Sequence, residues 1–183
     1  MASEPVILIG KRVTLRPPKL ADFDEVTALM KRSARLFRGL VSPLQGKPEF
    51  ADYVERCRDE ECYRFLICRT EDGVILGSIS LFLIERRTFE NACVGYMIGE
   101  PHTRQGYGME ALRLVLRFAF RELKLHRVEA NVQPQNAASI ALVKRVGFRL
   151  EGYSPRFLKI CGKWCDHERW AILVEDWRKL REK

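Results

Sequence analysis

The sequence lacks the features of membrane-spanning, secreted and repetitive proteins. No apolar run approaches the roughly 18 to 20 residues that a membrane-spanning helix needs. The N-terminal segment carries Glu4 and Pro5 and has no basic stretch leading into an apolar one, so it does not resemble a signal peptide. Repeats, low-complexity stretches and linkers are also absent. We therefore expect a cytoplasmic protein with a single domain over residues 1–183 and a core from about 11 to 175.

The cysteines likewise show no pattern of a disulfide framework or a metal site. The six cysteines include no C-x-x-C pair, and their spacing is irregular. Cys161 and Cys165 flank a predicted hairpin turn, but only His167 lies nearby as a further ligand, and a structural zinc ion needs about four. We expect buried or surface thiols and no metal cofactor.

Acidic residues are outnumbered by basic ones. The 183 residues include 32 Lys and Arg against 24 Asp and Glu, a formal net charge of +8. Such an excess favours polyanionic partners, namely nucleic acid, the ribosome or a phosphorylated cofactor, although basic residues also cover ordinary solvated surfaces. With 46% hydrophobic residues, the chain can form a substantial core.

The spacing of apolar residues predicts an α/β fold with one mixed, twisted sheet flanked by helices. Gly95 and Gly99 interrupt the fourth predicted strand, which indicates a bulge or a place where another backbone or a ligand comes close. The predicted strands are residues 12–16, 63–69, 74–84, 92–99, 127–133, 148–160 and 164–174. The predicted helices are residues 21–32, 50–58, 108–124 and 137–145.

The most informative segment is TRQGYGMEA, from Thr103 to Ala111, between a predicted strand and a strongly periodic helix. Gly106 and Gly108 let the backbone come close to an anion, and the free N–H groups at the helix start can bind phosphate. A tight turn without a ligand would show the same two glycines. The segment alone leaves both interpretations open.

Together with a second motif, this segment resembles the GNAT superfamily of N-acetyltransferases. The family signature Q/R-x-x-G-x-G/A follows the fourth strand, and Thr103, Gly106 and Gly108 occupy its defined positions. Thr103 departs from the usual Gln or Arg, but the phosphate contacts are mainly made by backbone groups. The family pattern N-x-x-A/S-x-x-L-Y-x-x-x-G-F is matched by NAASIALVKRVGF, Asn136–Phe148, except for its Tyr. The resemblance covers nearly the whole domain.

The C-terminal part resembles one branch of the superfamily more closely. Glu151-Gly152-Tyr153, followed by GKWCDH at residues 162–167, is similar to the RimJ/RimL-like group of ribosomal-protein-alanine N-acetyltransferases. Related small-molecule and antibiotic acetyltransferases share much of this pattern. The resemblance to the branch therefore rests on fewer residues than the resemblance to the superfamily.

The resemblance implies that acetyl-CoA is the co-substrate and that its pantetheine arm lies between splayed fourth and fifth strands. Gly95, Gly99 and Pro134 suit such a split. The N–H groups of Met97 and Ile98 would then hold the thioester carbonyl and the oxyanion. The predicted cofactor-binding residues are Met97, Ile98, Arg104, Gln105, Gly106, Tyr107, Gly108, Met109 and Asn136. Asn136 could instead serve only as a helix cap.

The resemblance also suggests catalytic residues. Many relatives protonate the departing thiolate with a Tyr at the position of Val143, whereas RimL-like relatives use a Ser at the position of Ser139. We predict Ser139 as the proton donor, with a simple capping role as the alternative. Asn131 occupies the place of a catalytic Glu but cannot accept a proton; Glu129 could act as a base through water, or be a solvated strand residue, and Glu100 is a further candidate.

We predict an acyltransferase that moves acetyl to a primary amine, specifically the N-terminal α-amine of a ribosomal protein. An α-amine has a pKa of about 8 and a lysine amine one of about 10.4, so an α-amine depends less on a dedicated base. Two alternatives stay open at this point. One is a small-molecule amine acceptor, such as an amino sugar or polyamine, and the other is a ribosome-assembly factor that binds CoA but has little catalysis. Contact with the ribosome or ribosomal RNA is a further expectation.

Overall fold

Eight strands and six α-helices lie in the part of the chain that the computed structural model describes, residues 5–42, 46–58 and 62–181. The strands are β1 (Leu8–Ile9), β2 (Val13–Arg16), β3 (Tyr63–Arg69), β4 (Ile75–Glu85), β5 (Asn91–Ile98), β6 (Arg127–Val132), β7 (Arg149–Ile160) and β8 (Lys163–Leu173). The helices are α1 (Phe23–Arg32), α2 (Ala34–Phe37), α3 (Lys47–Glu55), α4 (Tyr107–Arg121), α5 (Ala137–Val146) and α6 (Val174–Arg181). Single 3-10 turns at Leu20–Asp22 and Arg56–Arg58 precede α1 and follow α3.

The two helices beside the sequence motifs begin and end close to the predicted residues. α4 buries an apolar stripe in which Ala111 and Ala119 are fully buried. α5 follows Asn136, whose side chain accepts a hydrogen bond from the N–H of Ser139 at 3.1 Å. It ends at Gly147, which has a φ of 106° in the left-handed region that favours glycine. Both predicted helices are confirmed, apart from a few terminal residues.

The strands form one sheet in the order β1-β2-β3-β4-β5-β6-β8-β7. Every neighbouring pair is antiparallel except β5 and β6, which run parallel. Their register starts with Asn91 opposite Arg127 and stops with Cys93 opposite Glu129. From there, residues Val94–Ile98 of β5 pair with β4 on one side and leave the side toward β6 open. The predicted opening between these strands is confirmed.

Helices cover the sheet on both faces, which confirms the predicted α/β fold. β3 illustrates the two layers, because its successive side chains point to opposite faces. Phe65 and Ile67 belong to the main core with α4 and α5. Leu66 and Cys68 belong to a second cluster, which includes Val26 of α1 and residues of α3.

Three short elements, β1, α2 and α6, were not predicted. β1 and α2 have two and four residues, too few for a periodic pattern to stand out. α6 follows β8 without a loop, so its first residue, Val174, looks like the end of the strand. The helix predicted at residues 50–58 is α3, which starts earlier because Pro48 occupies its first turn. The core extends beyond its predicted limits at residues 11 and 175. Trp177 is buried in it, and Val6 and Leu8 pack against it.

The six cysteines are free thiols, and the Cys161–Cys165 segment forms the predicted hairpin turn between β7 and β8. Within the described ranges, no group of three or more His, Cys, Asp or Glu residues could hold a metal ion. None of the helices in those ranges has the length and apolarity to cross a membrane.

Candidate active site

The loop from β5 to α4 presents free N–H groups at the start of a long helix. Gly106 precedes α4 with a φ of 84°, and Arg104 also adopts a left-handed conformation, with a φ of 60°. No side chain of the described residues caps the first turn, so the N–H groups of Tyr107, Gly108 and Met109 have no intrahelical partner. These groups lie at the positive end of the helix dipole, where an anion is stabilised. The predicted phosphate loop therefore has the geometry of an anion site.

Arg12, between β1 and β2, holds this loop in place. Its Nη2 donates to the carbonyl oxygen of Gln105 at 2.5 Å, and its guanidinium lies 4.5 Å from the centroid of the Tyr107 ring. Its backbone N–H donates to Oε1 of Glu110 in α4 at 2.7 Å. Sequence analysis missed Arg12 because these contacts join residues more than 90 positions apart. The loop is thus shaped by protein contacts before any ligand binds.

Close backbone packing positions the open segment of β5. A Cβ atom on Gly77 of β4 would lie 2.0 Å from the carbonyl oxygen of Met97, so only glycine fits there. A Cβ atom on Gly99 would lie 2.5 Å from Cδ1 of Leu29 in α1. Gly99, which indicated a ligand contact or a bulge, is therefore explained by helix packing. Gly95 lines a cavity described below.

Ser139 of α5 and Tyr96 of β5 face each other. Their hydroxyl oxygens lie 2.7 Å apart, within hydrogen-bond distance. Burial raises the pKa of Tyr96 to about 12, so the phenol keeps its proton at neutral pH. Val143, where relatives carry a Tyr, is fully buried in the core. Tyr96 thus supplies a phenol from the facing strand β5. The motif on α5 gave no indication of this residue.

The residues predicted near the base position lie where β5 and β6 stop pairing. Oε1 of Glu129 accepts a hydrogen bond from Nε of Arg127 at 2.7 Å. Arg127 also pairs with Glu151 of β7, and this interaction, with a second one from Arg149, lowers the pKa of Glu151 to about 2. The Glu129 carboxylate is therefore engaged in an ion-pair network rather than free.

Asn131 lies two residues beyond Glu129, at the opening itself. Its Oδ1 is buried and has no hydrogen-bond partner among the described residues, and its Nδ2 lies 4.0 Å from Sγ of Cys93. Burial raises the pKa of the Cys93 thiol to about 11, so this neighbour is neutral at pH 7. The carboxamide can accept a hydrogen bond at this place, but it cannot accept a proton.

A cavity of about 310 Å³ lies on the other face of the same β5 segment, under α1 and α3. We call it the β5 cavity. Its only charged lining residue within the described ranges is Arg64 of β3, whose guanidinium carbon lies 5.3 Å from the centroid of the Tyr53 ring. The lining residues are Val26, Leu29, Met30, Val41, Ser42, Tyr53, Cys62, Arg64, Leu66, Ile75, Gly77, Ser78, Ser80, Phe82, Gly95, Tyr96 and Met97. The opening toward β6 and the β5 cavity therefore share Gly95, Tyr96 and Met97.

Comparison with known proteins relates most of the chain to one family. The family model described as acetyltransferase (GNAT) domain matches residues 12–149. The protein named "Probable N-acetyltransferase YjcK" of Bacillus subtilis (strain 168) is 35% identical over 178 residues, which cover 93% of this chain and 98% of that protein. These matches include the phosphate loop, α4 and α5.

Two further relatives carry more specific names. The "[Ribosomal protein uS5]-alanine N-acetyltransferase" of Escherichia coli (strain K12) is 36% identical over 107 residues, 58% of this chain and 55% of that protein. The solved structure of Mycobacterium smegmatis RimJ in complex with CoA-disulfide has a TM-score of 0.81 at 26% identity, covering 93% of this chain and 87% of that chain. A protein of the same fold thus binds a CoA derivative.

Proposed function

Because this chain belongs to the GNAT acetyltransferase family and is an N-acetyltransferase by that membership, we propose that it acetylates the N-terminal α-amine of a ribosomal protein in the cytoplasm. The acetyl donor in this proposal is acetyl-CoA. The observation that carries it is the open edge of β5 beside the uncapped first turn of α4. Similarity to a ribosomal-protein-alanine acetyltransferase supports the choice of acceptor.

The residues present fit a CoA thioester. The N–H groups of Tyr107, Gly108 and Met109 would bind the pyrophosphate, with Arg104 and Gln105 beside them. The open edge of β5 offers backbone groups to the pantetheine arm, as an added strand would use them.

At the end of that arm, the backbone at Met97 and Ile98 would stabilise the oxyanion. Because Gly99 donates its N–H to Leu76 of β4 and N–H groups alternate along a strand, the N–H of Ile98 is the one that points to the open edge. Asn136 already caps α5 through its Oδ1. Its Nδ2 group would contact the pantetheine in addition to this capping role.

The chemical step needs one nucleophile and one proton donor. The neutral amine attacks the thioester carbonyl, so that a C–N bond forms and the C–S bond breaks. Ser139 gives its hydroxyl proton to the departing thiolate and is reprotonated by Tyr96, whose hydroxyl lies 2.7 Å away. Tyr96 then regains a proton from solvent. The amine loses its extra proton to solvent. The products are the acetylated amine and free CoA.

The acceptor preference follows from the weakness of the base position. Glu129 is held by Arg127, and Asn131 has no proton-accepting group. A peptide α-amine, with a pKa of about 8, is already about a tenth neutral at pH 7, whereas a lysine amine with a pKa of about 10.4 is almost fully charged. An enzyme without a strong base therefore favours an α-amine.

A small-molecule amine is the second candidate acceptor. The β5 cavity of about 310 Å³ lies at the lower end of the sizes of small-ligand pockets, about 300 to 1,000 Å³. Such a volume holds a small amine as well as one or two residues of a peptide.

The test is release of free thiol from acetyl-CoA with purified ribosomal proteins, followed by a panel of small amines. Release with a ribosomal protein, and an added acetyl mass at its N-terminal residue, is the expected result. The matched control is the same protein with its α-amine blocked, which should give no release. Release with small amines alone would contradict the proposed acceptor and favour the second candidate.

A further inference from the structure

We propose that the β5 cavity selects an acceptor amine that carries a carboxylate roughly 10 Å away, and that Arg64 binds this carboxylate. The inference rests on the proposed function, because it assumes that the amine reacts at the open edge of β5. It names the substrate class more closely as an acidic N-terminal peptide segment.

Arg64 lines the cavity and has a buried hydrogen-bond donor without a partner. Its Nη1 is buried and has no hydrogen-bond partner among the described residues. No carboxylate of residues 5–42, 46–58 or 62–181 forms an ion pair with it. A buried guanidinium donor without a partner is unfavourable, and a carboxylate that accepts two parallel N–H bonds would remove this cost.

The groups around Arg64 orient it without neutralising it. The Tyr53 ring lies 5.3 Å from the guanidinium carbon, which fixes the plane of the side chain through a cation–π contact. Burial raises the pKa of Tyr53 to about 12 and that of Cys57 to about 11, so both neighbours are uncharged at pH 7. Arg64 therefore keeps its positive charge for a ligand.

Strand register places Arg64 in line with the reaction centre. Arg64 of β3 lies opposite Ser80 of β4, and Ser80 lies opposite Gly95 of β5. Ser78, in the next row, lies opposite Met97. Ser78 and Ser80 both line the cavity, and Ser80 forms a side-chain hydrogen bond with Tyr53, so the Ser78 hydroxyl can bind a polar acceptor between the two ends.

The distance between the two ends favours a peptide over a free amino acid. Two strand spacings of about 4.8 Å separate the backbone of Arg64 from that of Gly95, a span of roughly 10 Å. The carboxylate of a free α-amino acid lies only a few bonds from its amine, too close to reach both ends. An extended peptide advances about 3.3–3.6 Å per residue, so an acidic side chain within the first three residues spans the gap.

Most of the remaining cavity lining is apolar. Leu29, Met30, Val41, Phe82 and Met97 surround the path between the open edge of β5 and Arg64. These side chains favour an apolar segment next to the amine and disfavour a second charge. The expected acceptor thus has a small or apolar first residue and one acidic residue soon after it.

The test compares peptides that differ only in a side-chain carboxylate or carboxamide. N-terminal peptides with Glu or Gln at residue 2 or 3 are assayed with acetyl-CoA, using the wild-type protein, Arg64→Gln and Arg64→Lys. We expect the wild type to prefer the better-placed Glu peptide by about tenfold or more in kcat/KM. Arg64→Gln should remove the preference, and Arg64→Lys should keep part of it. Continued acetylation of the Gln peptides by both variants would show that they fold. Arg178→Gln, on the exposed side of α6, should leave the preference unchanged.

A second arm separates failure of this inference from failure of the proposed function. It compares 6-aminohexanoate with hexylamine, which differ in the carboxylate, and includes free alanine as a short acceptor. If peptides are not acetylated but 6-aminohexanoate is preferred in an Arg64-dependent way, the cavity assignment holds and the protein acceptor is wrong. Equal use of Glu and Gln peptides, or a preference unaffected by Arg64→Gln, would overturn the cavity assignment and leave the proposed function intact. No carboxylate preference in either arm would overturn it too.

Discussion

The two faces of the open β5 segment are built in different ways. The proposed cofactor face uses backbone N–H groups at the start of α4, placed there by Gly106 and by the loop before it. The proposed acceptor face uses side chains from three strands and two helices around the β5 cavity. Backbone geometry at a helix start leaves a local trace in the sequence, whereas a cavity assembled by strand register leaves none. This difference explains why one face carries a recognisable motif and the other does not.

The largest predicted effect comes from Tyr96 and Ser139, whose hydroxyls form a hydrogen bond with each other. Tyr96→Phe or Ser139→Ala should each lower kcat by about a hundredfold, because general acid catalysis typically contributes 10²–10⁴-fold. The double variant should be little worse than either single one, since residues that act as a unit are not additive. Single-turnover assays with saturating acetyl-CoA measure this step. Tyr63→Phe, in a tyrosine that packs against Phe118 in the core, is the matched control and should keep its kcat.

Burial of Tyr96 adds a pH dependence to this prediction. With a pKa near 12, the phenol stays protonated throughout the usual assay range, so it should cause no alkaline loss of kcat below about pH 11. The rise in rate with pH should instead follow deprotonation of the acceptor amine. A fall in kcat between pH 8 and 9 in the wild type, absent from Tyr96→Phe, would argue against a phenol that stays protonated.

A second prediction tests the cofactor face with two glycines of the same conformation. Gly106, with a φ of 84°, starts α4, and Gly73, with a φ of 77°, lies in the β3–β4 hairpin turn. Alanine at either place should cost about 1–2 kcal/mol of stability, because the left-handed region disfavours a Cβ. Only Gly106→Ala should also raise the KM for acetyl-CoA, by about tenfold. An equal KM for the two variants would mean that the loop before α4 does not hold the cofactor.

Arg12 should have a smaller effect on the same face. Arg12→Gln removes the guanidinium contacts with the Gln105 carbonyl and the Tyr107 ring but keeps the backbone bond to Glu110. We expect the KM for acetyl-CoA to rise about fivefold with kcat unchanged, since one such contact contributes roughly 1 kcal/mol. Isothermal titration with CoA checks the binding directly, and Lys11→Gln on the neighbouring exposed residue is the control.

The smallest predicted effect concerns Glu151, which pairs with Arg127 where β5 and β6 are still hydrogen-bonded. Interaction with Arg127 and Arg149 lowers the pKa of Glu151 to about 2 in the folded protein, below its unfolded value of about 4.3. The stabilisation is therefore present above about pH 4.3 and is lost as the pH falls toward 2. Because Glu151 forms its ion pairs at the protein surface, we expect Glu151→Gln to cost only about 0.5–1 kcal/mol at pH 7. Denaturant titrations at pH 7 and pH 3 should show this cost shrinking at the lower pH, with both KM values unaltered.

The sequence predicts much of the cofactor face and little of the acceptor face. Gly147 and Asn136 mark the two ends of α5, and both roles follow from local backbone rules. Arg12, Tyr96 and Arg64 act through contacts or register that link distant parts of the chain, and no local pattern indicates them. Gly99 shows the converse error, because a glycine that suggested a ligand turned out to accommodate a packed leucine.

The most direct test of the two-faced site is a crystal structure with a bisubstrate analogue, in which CoA is joined through its acetyl group to the α-amine of an acidic N-terminal peptide. We expect pyrophosphate at the N–H groups of Tyr107–Met109, pantetheine along the open edge of β5, and the peptide carboxylate on Arg64. A peptide that instead runs over the β7–β8 hairpin, with Arg64 free of contact, would contradict it.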